Sequence, residues 1–329
     1  MSVSSRRHTW QVLRLLGAPL LLGGVVWWAG PQAIWAALRA ADGRWLAAGL
    51  LCAFAGNVSA ALRWGELARW LGHAVSPRWT TVVYFQGAAI NIVLPGAVVG
   101  GDLFRAWQLQ RDGCPRGAAG LSVVLDRLSG LWILFALAAL GLFGGLDTPE
   151  MQRLRLLLQV PDAWSTAWLA AMLLLAVLIL PLCVLLALAT LAGRGARPGS
   201  RRATAVELLK RPEGLKQYLW QGAASLLVHV FTVGALFCAA RAFGIALPAW
   251  LIVLTTAPIL LLASMPVSFG GWGTREAAAV AGWSVFGVAP PLAVAAAATY
   301  GIYALLQAPL ALWRMPSPDK VSRPDAMPR

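Results

Sequence analysis

Two segments of the chain combine a proline, glycines and paired charges inside otherwise apolar sequence. Residues 265–280 read MPVSFGGWGTREAAAV, and residues 94–105 read LPGAVVGGDLFR. A charged side chain inside a bilayer is energetically expensive, and it is usually functional. Two interrupted apolar segments in corresponding halves of a chain therefore predict a binding site built from broken membrane helices.

The chemistry that these segments favour is recognition of an anionic head group. A helix that begins after a break presents free backbone N–H groups and the positive end of its dipole, which together suit a phosphate. An adjacent arginine adds a planar fork for two hydrogen bonds. A single glycine in a membrane helix more often serves close packing, so the prediction rests on the whole pattern. The candidate residues at the breaks are Pro95, Gly96, Gly100, Gly101, Pro266, Gly270, Gly271 and Gly273.

Two further charges, Asp126 and Arg127, lie inside a third apolar segment. Neighbouring residues on a helix point in different directions, so each of these side chains needs another partner. We expect a cluster near the membrane midplane whose charges neutralise one another and share a lipid head group when it is bound. A purely stabilising ion network that pins the hairpins is the alternative. The candidate head-group residues are Asp102, Arg105, Asp126, Arg127, Arg275 and Glu276.

Composition places these segments in an integral membrane protein. Hydrophobic residues make up 59% and charged residues 12% of the 329 residues, and the mean hydropathy is +0.69. Soluble domains have about 45–50% apolar and about 25% charged residues. The net charge of +14 comes from basic residues in short loops between apolar segments. Because membrane topology explains that pattern, we expect no nucleic-acid partner.

Length and hydropathy predict eight apolar units. Six of them are long enough to cross about 30 Å of hydrocarbon, and they are residues 10–29, 45–62, 118–143, 164–192, 219–240 and 292–313. The other two, residues 80–94 and 250–288, adjoin or contain the glycine breaks, and we expect each to be a re-entrant hairpin. The predicted fold is an all-α polytopic membrane protein, an inverted-topology repeat with three spans and one hairpin in each half.

The distribution of arginine and lysine predicts sidedness. In this arrangement 20 basic residues lie on one side of the membrane and five on the other. The richer side should be cytoplasmic, with both termini there. Arg63, Arg69 and Arg78 mark one cytoplasmic loop in this scheme. Residues 1–315 then form a single transmembrane domain, and residues 316–329 form a cytoplasmic tail.

Sequence patterns for catalysis and metal binding are missing. The chain has no HExxH, GxSxG or Walker pattern, and His229 is interpreted as a hydrogen-bonded packing residue. The cysteines stand singly among apolar residues, at Cys52, Cys114, Cys183 and Cys238. Neither a disulfide framework nor a zinc site is indicated, and we expect no metal and no cofactor. Enzymatic activity is therefore the weaker class of function.

The glycine-rich segments resemble those of a known family. PVSFGGWGTREAAAV is similar to the P-x-S-x-x-G-W-G-x-R-E signature of the lysylphosphatidylglycerol synthase transmembrane-region family, also called the flippase-like domain. PGAVVGGDLFRAWQLQRDG and SVVLDRLSGL resemble the Gly-Gly-Asp-x-x-Arg turn and the Asp-Arg helix of that family. The similarity covers nearly the whole chain. The positions that match the first signature are Pro266, Ser268, Gly271, Trp272, Gly273, Arg275 and Glu276.

The resemblance implies a domain that handles membrane lipids. In the multiple peptide resistance factors this domain moves aminoacylated phosphatidylglycerol between leaflets, which implies a flippase or transporter of the bacterial inner membrane. Because no soluble synthase domain follows the last span, we expect aminoacyl transfer to be absent. The implied partner is a phospholipid, an aminoacyl-phospholipid, a hopanoid or a polyprenyl phosphate. The alternative is a non-transporting accessory protein or enzyme of lipid, hopanoid or polyprenyl-glycan biosynthesis, with other lipid-biosynthesis proteins as partners.

Overall fold

A computed structural model of the protein describes residues 20–93, 99–146, 148–161, 164–193, 213–265 and 270–312, with side chains at all of these except 93 and 180–193. Within these ranges the chain forms twelve α-helices and one 3₁₀ helix, and no strand. The all-α prediction is therefore confirmed for the described part of the chain.

Six helices make up the first part of the chain. They are α1 (Leu20–Ala29), α2 (Pro31–Ala40), α3 (Gly43–Trp70), α4 (Pro77–Val93), α5 (Val99–Arg111) and α6 (Arg116–Gly144). Six more follow, and they are α7 (Pro149–Leu157), α8 (Thr166–Gly193), α9 (Gly214–Ala242), α10 (Ala249–Ala263), α11 (Thr274–Ser284) and α12 (Pro290–Gln307). The 3₁₀ helix, Ala308–Leu312, continues directly from α12.

Within the described residues, four helical segments are long and apolar enough to cross a membrane, and they are α3, α6, α9 and the continuous segment Pro290–Leu312. Helices α6 and α9 each contain 29 residues, which corresponds to about 43 Å at 1.5 Å per residue. These four match four of the six predicted spans. The predicted span over residues 10–29 lies partly outside the described residues, and α8 covers the remaining one. The protein is thus a multi-pass membrane protein.

Each of the two units predicted as hairpins consists of two shorter helices. Helices α4 and α5 have 17 and 13 residues and pack against each other. Helices α10 and α11 have 15 and 11 residues and also pack against each other. The connecting residues 94–98 and 266–269 are outside the described residues, and with them lie the predicted Pro95, Gly96 and Pro266.

Helices α3 and α9 form the centre of the molecule and pack against each other over a long interface. Small residues allow this close approach, because Gly56 lies against Phe231, and Gly234 lies against Cys52. Around this pair, α4 contacts α3 and α12, while α10 contacts α9 and α6. Helix α5 packs on α6, and α11 packs on α12. Each of these two-helix units therefore lies against one helix of the central pair and against a spanning helix from the other part of the chain.

Helix α3 extends beyond the predicted span, and this corrects one prediction. Arg63 and Arg69 were expected in a loop, but both belong to α3, and the loop begins only after Trp70. The sequence between Arg63 and Trp70 contains no proline, and the first glycine with positive φ after Arg63 is Gly72, at 94°. The helix therefore continues until a residue that favours the left-handed conformation stops it.

Candidate functional site

Asp126 of α6 lies at the centre of a buried ion network. Its Oδ1 accepts a hydrogen bond from Nε of Arg63 at 2.9 Å, and its Oδ2 accepts one from Nη1 of Arg105 at 3.0 Å. Nη2 of Arg63 lies 2.8 Å from the same Oδ1 and also donates to the Asp126 main-chain carbonyl. Both carboxylate oxygens are thus satisfied in a nearly inaccessible position, as a buried charge requires.

Asp102, in the first turn of α5, is the second acceptor of this network. Its Oδ1 accepts from Nη2 of Arg105 and from Nη2 of Arg127, both at 2.7 Å. Its Oδ2 accepts from Nε of Arg127 at 2.8 Å. A carboxylate in a first turn also interacts favourably with the helix dipole. The prediction that Asp126 and Arg127 pair with other residues, and not with each other, is confirmed. We call Arg63, Asp102, Arg105, Asp126 and Arg127 the first charge group.

The guanidinium of Arg105 is held between two aromatic rings. Its Cζ lies 5.1 Å from the ring centre of Trp64 and 5.0 Å from that of Tyr84. Two aspartates and two aromatic faces therefore fix one arginine, which is almost fully buried. Cation–π contacts of this kind gain strength where water is excluded.

Arg63 connects the first charge group to the second part of the chain. Its Nη1 donates to Oγ of Ser225 in α9 at 2.9 Å. One turn further along α9, Nε2 of His229 lies 2.8 Å from the carbonyl oxygen of Gly130 in α6, which confirms the interpretation of His229 as a hydrogen-bonded packing residue. The sequence pattern did not identify Arg63 as a site residue, because an arginine at the end of an apolar run is typical of a membrane interface.

The start of α5 depends on close contact with α4. The N–H of Gly101 donates to Oδ1 of Asn91 at 2.7 Å, so a side chain of α4 satisfies one of the N–H groups at the helix start. A Cβ at Gly101 would overlap the carbonyl oxygen of Gly87 and the Asn91 amide. Glycine at this position therefore allows α4 and α5 to meet.

The second glycine segment forms a turn that only glycine adopts easily. Gly270, Gly271 and Gly273 have φ values of 53°, 80° and 85°, which lie in the region that disfavours residues with a Cβ. A Cβ at Gly273 would also lie 2.8 Å from the main-chain nitrogen of Leu22 in α1. Backbone conformation and packing therefore both require glycine at position 273. Helix α11 begins directly after this turn.

Arg275 and Glu276 form a buried pair at the start of α11. Oε1 of Glu276 accepts from Nε and Nη2 of Arg275, at 3.0 and 2.6 Å, and Oε2 accepts from the N–H of Gly273 at 2.6 Å. The two residues are neighbours, but Glu276 turns back over the helix start, where the long arginine side chain reaches it. The N–H group and the arginine fork expected to hold an anion thus both bind the glutamate. We call these two residues the second charge group.

The two charge groups lie beside one small cavity. The cavity has a volume of about 200 Å³ and is lined by residues of α3, α4, α9, α10 and α12. Tyr84 and Tyr300 are among them. Arg105 stacks on Tyr84 at 5.0 Å, and the Arg275 guanidinium lies 6.0 Å from the ring centre of Tyr300. Asn57 also lines the cavity and donates from Nδ2 to Oε1 of Gln307 at 2.8 Å.

The six predicted head-group residues are therefore brought into two groups. Four of them join Arg63 in the first charge group, and Arg275 and Glu276 form the second. Each group contains arginine and carboxylate next to the start of a helix that follows a glycine break. Among the described residues, no three His, Cys, Asp or Glu side chains lie close enough together to hold a metal ion.

Comparison with known proteins identifies a family for almost the entire chain. The model of the family described as lysylphosphatidylglycerol synthase TM region matches residues 12–311. This range contains both glycine breaks and both charge groups. Among proteins with curated descriptions, none matches the chain. The similarity inferred from the two glycine-rich segments is confirmed.

Proposed function

The chain belongs to the lysylphosphatidylglycerol synthase TM-region family, and on that premise we propose that it is a flippase-like lipid transporter. In this proposal it moves or presents an anionic or modified membrane lipid between the two leaflets. Membership in the family associates the protein with membrane lipids. The proposal of transport rests on the arrangement of the two charge groups.

One observation carries the proposal. Each hairpin places an arginine and a carboxylate beside a tyrosine, and Tyr84 and Tyr300 line the same cavity between the central helices. Arginine forks and helix N-termini suit a phosphate. Two such groups beside one cavity supply successive positions for a head group that passes from one side of the protein to the other.

The packing of the helices supports an inverted-topology repeat with six spans and two re-entrant hairpins. If α3, α4, α5 and α6 correspond to α9, α10, α11 and α12, each contact has a counterpart. The contact of α4 with α12 becomes that of α10 with α6, and the contact of α5 with α6 becomes that of α11 with α12. The α3–α9 contact maps onto itself. Repeats of this kind place the substrate site where the halves meet.

In this function the carboxylates are exchangeable partners of the arginines. In the structure, Asp102 and Glu276 occupy the arginine forks. A phosphate would take over some of these hydrogen bonds during transport, and the freed carboxylate would keep the site from binding the lipid too tightly. Asp126, deeper in the first group, would hold Arg105 in place throughout.

The proposed location is the bacterial inner membrane, with both termini in the cytoplasm. The excess of arginine and lysine on one side supports that orientation. The lipid is a phospholipid, an aminoacyl-phospholipid, a hopanoid or a polyprenyl phosphate. Proteins of lipid biosynthesis are further candidate partners, because they would supply or consume it.

Reconstitution tests this function. Purified protein in liposomes should move fluorescent or aminoacylated phospholipid between leaflets faster than empty liposomes do, as measured by the fraction of probe that a membrane-impermeant quencher reaches. The alternative function is that of an accessory protein that only holds a lipid for an enzyme. Lipid-dependent product formation by a partner enzyme, without movement of the probe, would identify the accessory function.

A further inference from the structure

The first charge group carries a surplus positive charge. It contains three arginines and two aspartates, and all five side chains are joined by ion pairs. The second charge group has one arginine and one glutamate, so it is neutral. The two groups therefore differ in net charge. Only the first charge group, in which arginines outnumber aspartates by one, would gain an additional ion pair from a bound anion.

Arg127 is the member of the first charge group that faces outward. Its side chain is 45% exposed, whereas that of Arg105 is 3% exposed. Nε and Nη2 of Arg127 donate to Asp102. No acceptor for its Nη1 is found in the part of the chain that the structure describes. The surplus charge is thus accessible at the edge of the Arg127 guanidinium that carries Nη1. Asp102 already fixes the orientation of this guanidinium.

The surface around Arg127 is apolar. We define the α5–α6 surface by six exposed side chains on these two helices, and they are Val99, Leu103, Trp107, Val124, Leu128 and Leu131. Arg127 is eleven residues from Arg116, where α6 begins, which is about 16 Å along the helix. In a hydrocarbon layer about 30 Å thick, a distance of about 16 Å from the start of α6 separates Arg127 from the basic residues at the membrane interface.

We propose that the α5–α6 surface binds an anionic phospholipid, with its phosphate on Arg127 and its acyl chains along the exposed apolar side chains. An exposed arginine among apolar side chains at this depth is unfavourable unless an anion compensates it. The phosphodiester supplies one negative charge and oxygen acceptors for the open edge of the guanidinium. This inference rests on the proposed function and adds to it the class of lipid and the face of the protein that receives it.

Lipid retention tests this proposal without requiring transport. The full chain would be purified in detergent and titrated with dioleoylphosphatidylglycerol or dioleoylphosphatidylcholine, and bound lipid would be counted by native mass spectrometry. We expect the wild type to retain the anionic lipid preferentially. Arg127→Gln should reduce that preference about tenfold, as expected for one charge-assisted contact. Arg127→Lys, which keeps the charge and the Asp102 partner but loses the fork, should retain an intermediate preference.

Arg78→Gln is the matched control, because it removes one exposed arginine outside the α5–α6 surface. Retention like that of the wild type in this variant supports the proposal. The proposal is overturned if Arg127→Gln and Arg78→Gln retain the anionic lipid equally, or if the wild type retains both lipids equally. Equal retention by Arg127→Gln and Arg78→Gln together with intact transport would overturn the role of this surface and leave the transport function standing. Preferential retention of the anionic lipid by a wild-type protein that moves no lipid between leaflets would support this binding surface and overturn the transport function.

Discussion

Arg63 and Asp126 form a buried ion pair between α3 and α6, with Nη2 of the arginine 2.8 Å from Oδ1 of the aspartate. The same guanidinium reaches Ser225 of α9, while the same carboxylate holds Arg105 of α5. This pair therefore connects α5 to the central helices α3 and α9. The position of Arg105 in the first charge group depends on an arginine that lies on another helix and is not part of either glycine segment.

The first prediction concerns this pair. Arg63→Gln should destabilise the protein by about 3–5 kcal/mol, because it leaves the buried Asp126 carboxylate with one arginine fewer. The double variant Arg63→Gln with Asp126→Asn should recover part of that loss, since it removes both charges and keeps the net charge of the group. Thermal unfolding in detergent would measure both effects.

Arg69→Gln provides the control for the first prediction. Arg69 pairs with Glu66 on the same helix, and about a third of each side chain is exposed. Such pairs contribute about 1 kcal/mol or less. If Arg63→Gln is no more destabilising than Arg69→Gln, the connecting role of Arg63 is wrong.

The second prediction concerns the contact between α4 and α5. Gly101→Ala should destabilise the protein by about 1–3 kcal/mol, because the added Cβ would collide with the Gly87 carbonyl and the Asn91 amide. Gly120→Ala in α6 is the matched control, since no atom lies within 4 Å of its added Cβ, and alanine favours a helix by about 1 kcal/mol over glycine. Equal midpoints of thermal unfolding for the two variants would contradict the close contact.

The sequence predicted those parts of the site that depend on local geometry. The separate partners of Asp126 and Arg127 follow from the direction of neighbouring side chains on a helix, and the turn before α11 follows from its glycines. The role of Arg63 depends on how α3 packs on α6 and α9, and no short-range pattern contains that information. The available signal was the sequence from Arg63 to Trp70, which contains no proline, so that α3 continues through its single glycine, Gly65.

The sequence pattern also did not predict that the six charged residues form two separate groups. A charge pattern shows which residues need partners, but several pairings satisfy the same total charge. The choice of Glu276 as the partner of Arg275 depends on a carboxylate that turns back to the N–H of Gly273. That arrangement is a property of the folded turn.

The third prediction concerns the first hairpin. If it is re-entrant, Arg78→Cys and Arg111→Cys lie on the same side of the membrane, and Gln159→Cys lies on the other. An external maleimide on intact cells should label position 159 and leave positions 78 and 111 unlabelled. All three side chains are exposed, so the labelling reports sidedness and not burial. Different labelling of positions 78 and 111 would show that the hairpin crosses the membrane completely.

The native Cys114 should not disturb this labelling. It lies between α5 and α6, close to position 111, and its side chain is buried. Burial, with a contribution from Asp112, raises the pKa of the Cys114 thiol. Because the thiolate is the reactive form, its reaction with a maleimide at neutral pH should be slow. The parent protein without introduced cysteines would measure this background.

For Arg275, a role in head-group binding and a purely structural role can be separated by mutation. Its guanidinium lies 4.8 Å from the ring centre of Trp272, and its position requires a glycine at residue 301, where a Cβ would overlap it. Two of its nitrogens donate to Glu276. This environment fits a structural ion pair and also fits a guanidinium that is kept in place for a head group. The two roles are distinguished by substitutions that either keep the charge and alter the shape of the cationic group, or remove both charges of the pair.

The fourth prediction makes that separation. If Arg275 binds phosphate, Arg275→Lys should lower the rate of lipid movement in liposomes about tenfold or more, because lysine keeps the charge but loses the planar fork. The double variant Arg275→Gln with Glu276→Gln removes both halves of the buried pair, which is often tolerated, and it keeps an amide oxygen to accept from the N–H of Gly273. It should fold with near-normal stability and still move lipid poorly. Full transport by this charge-free variant would exclude the head-group role and leave Arg275 as a structural residue.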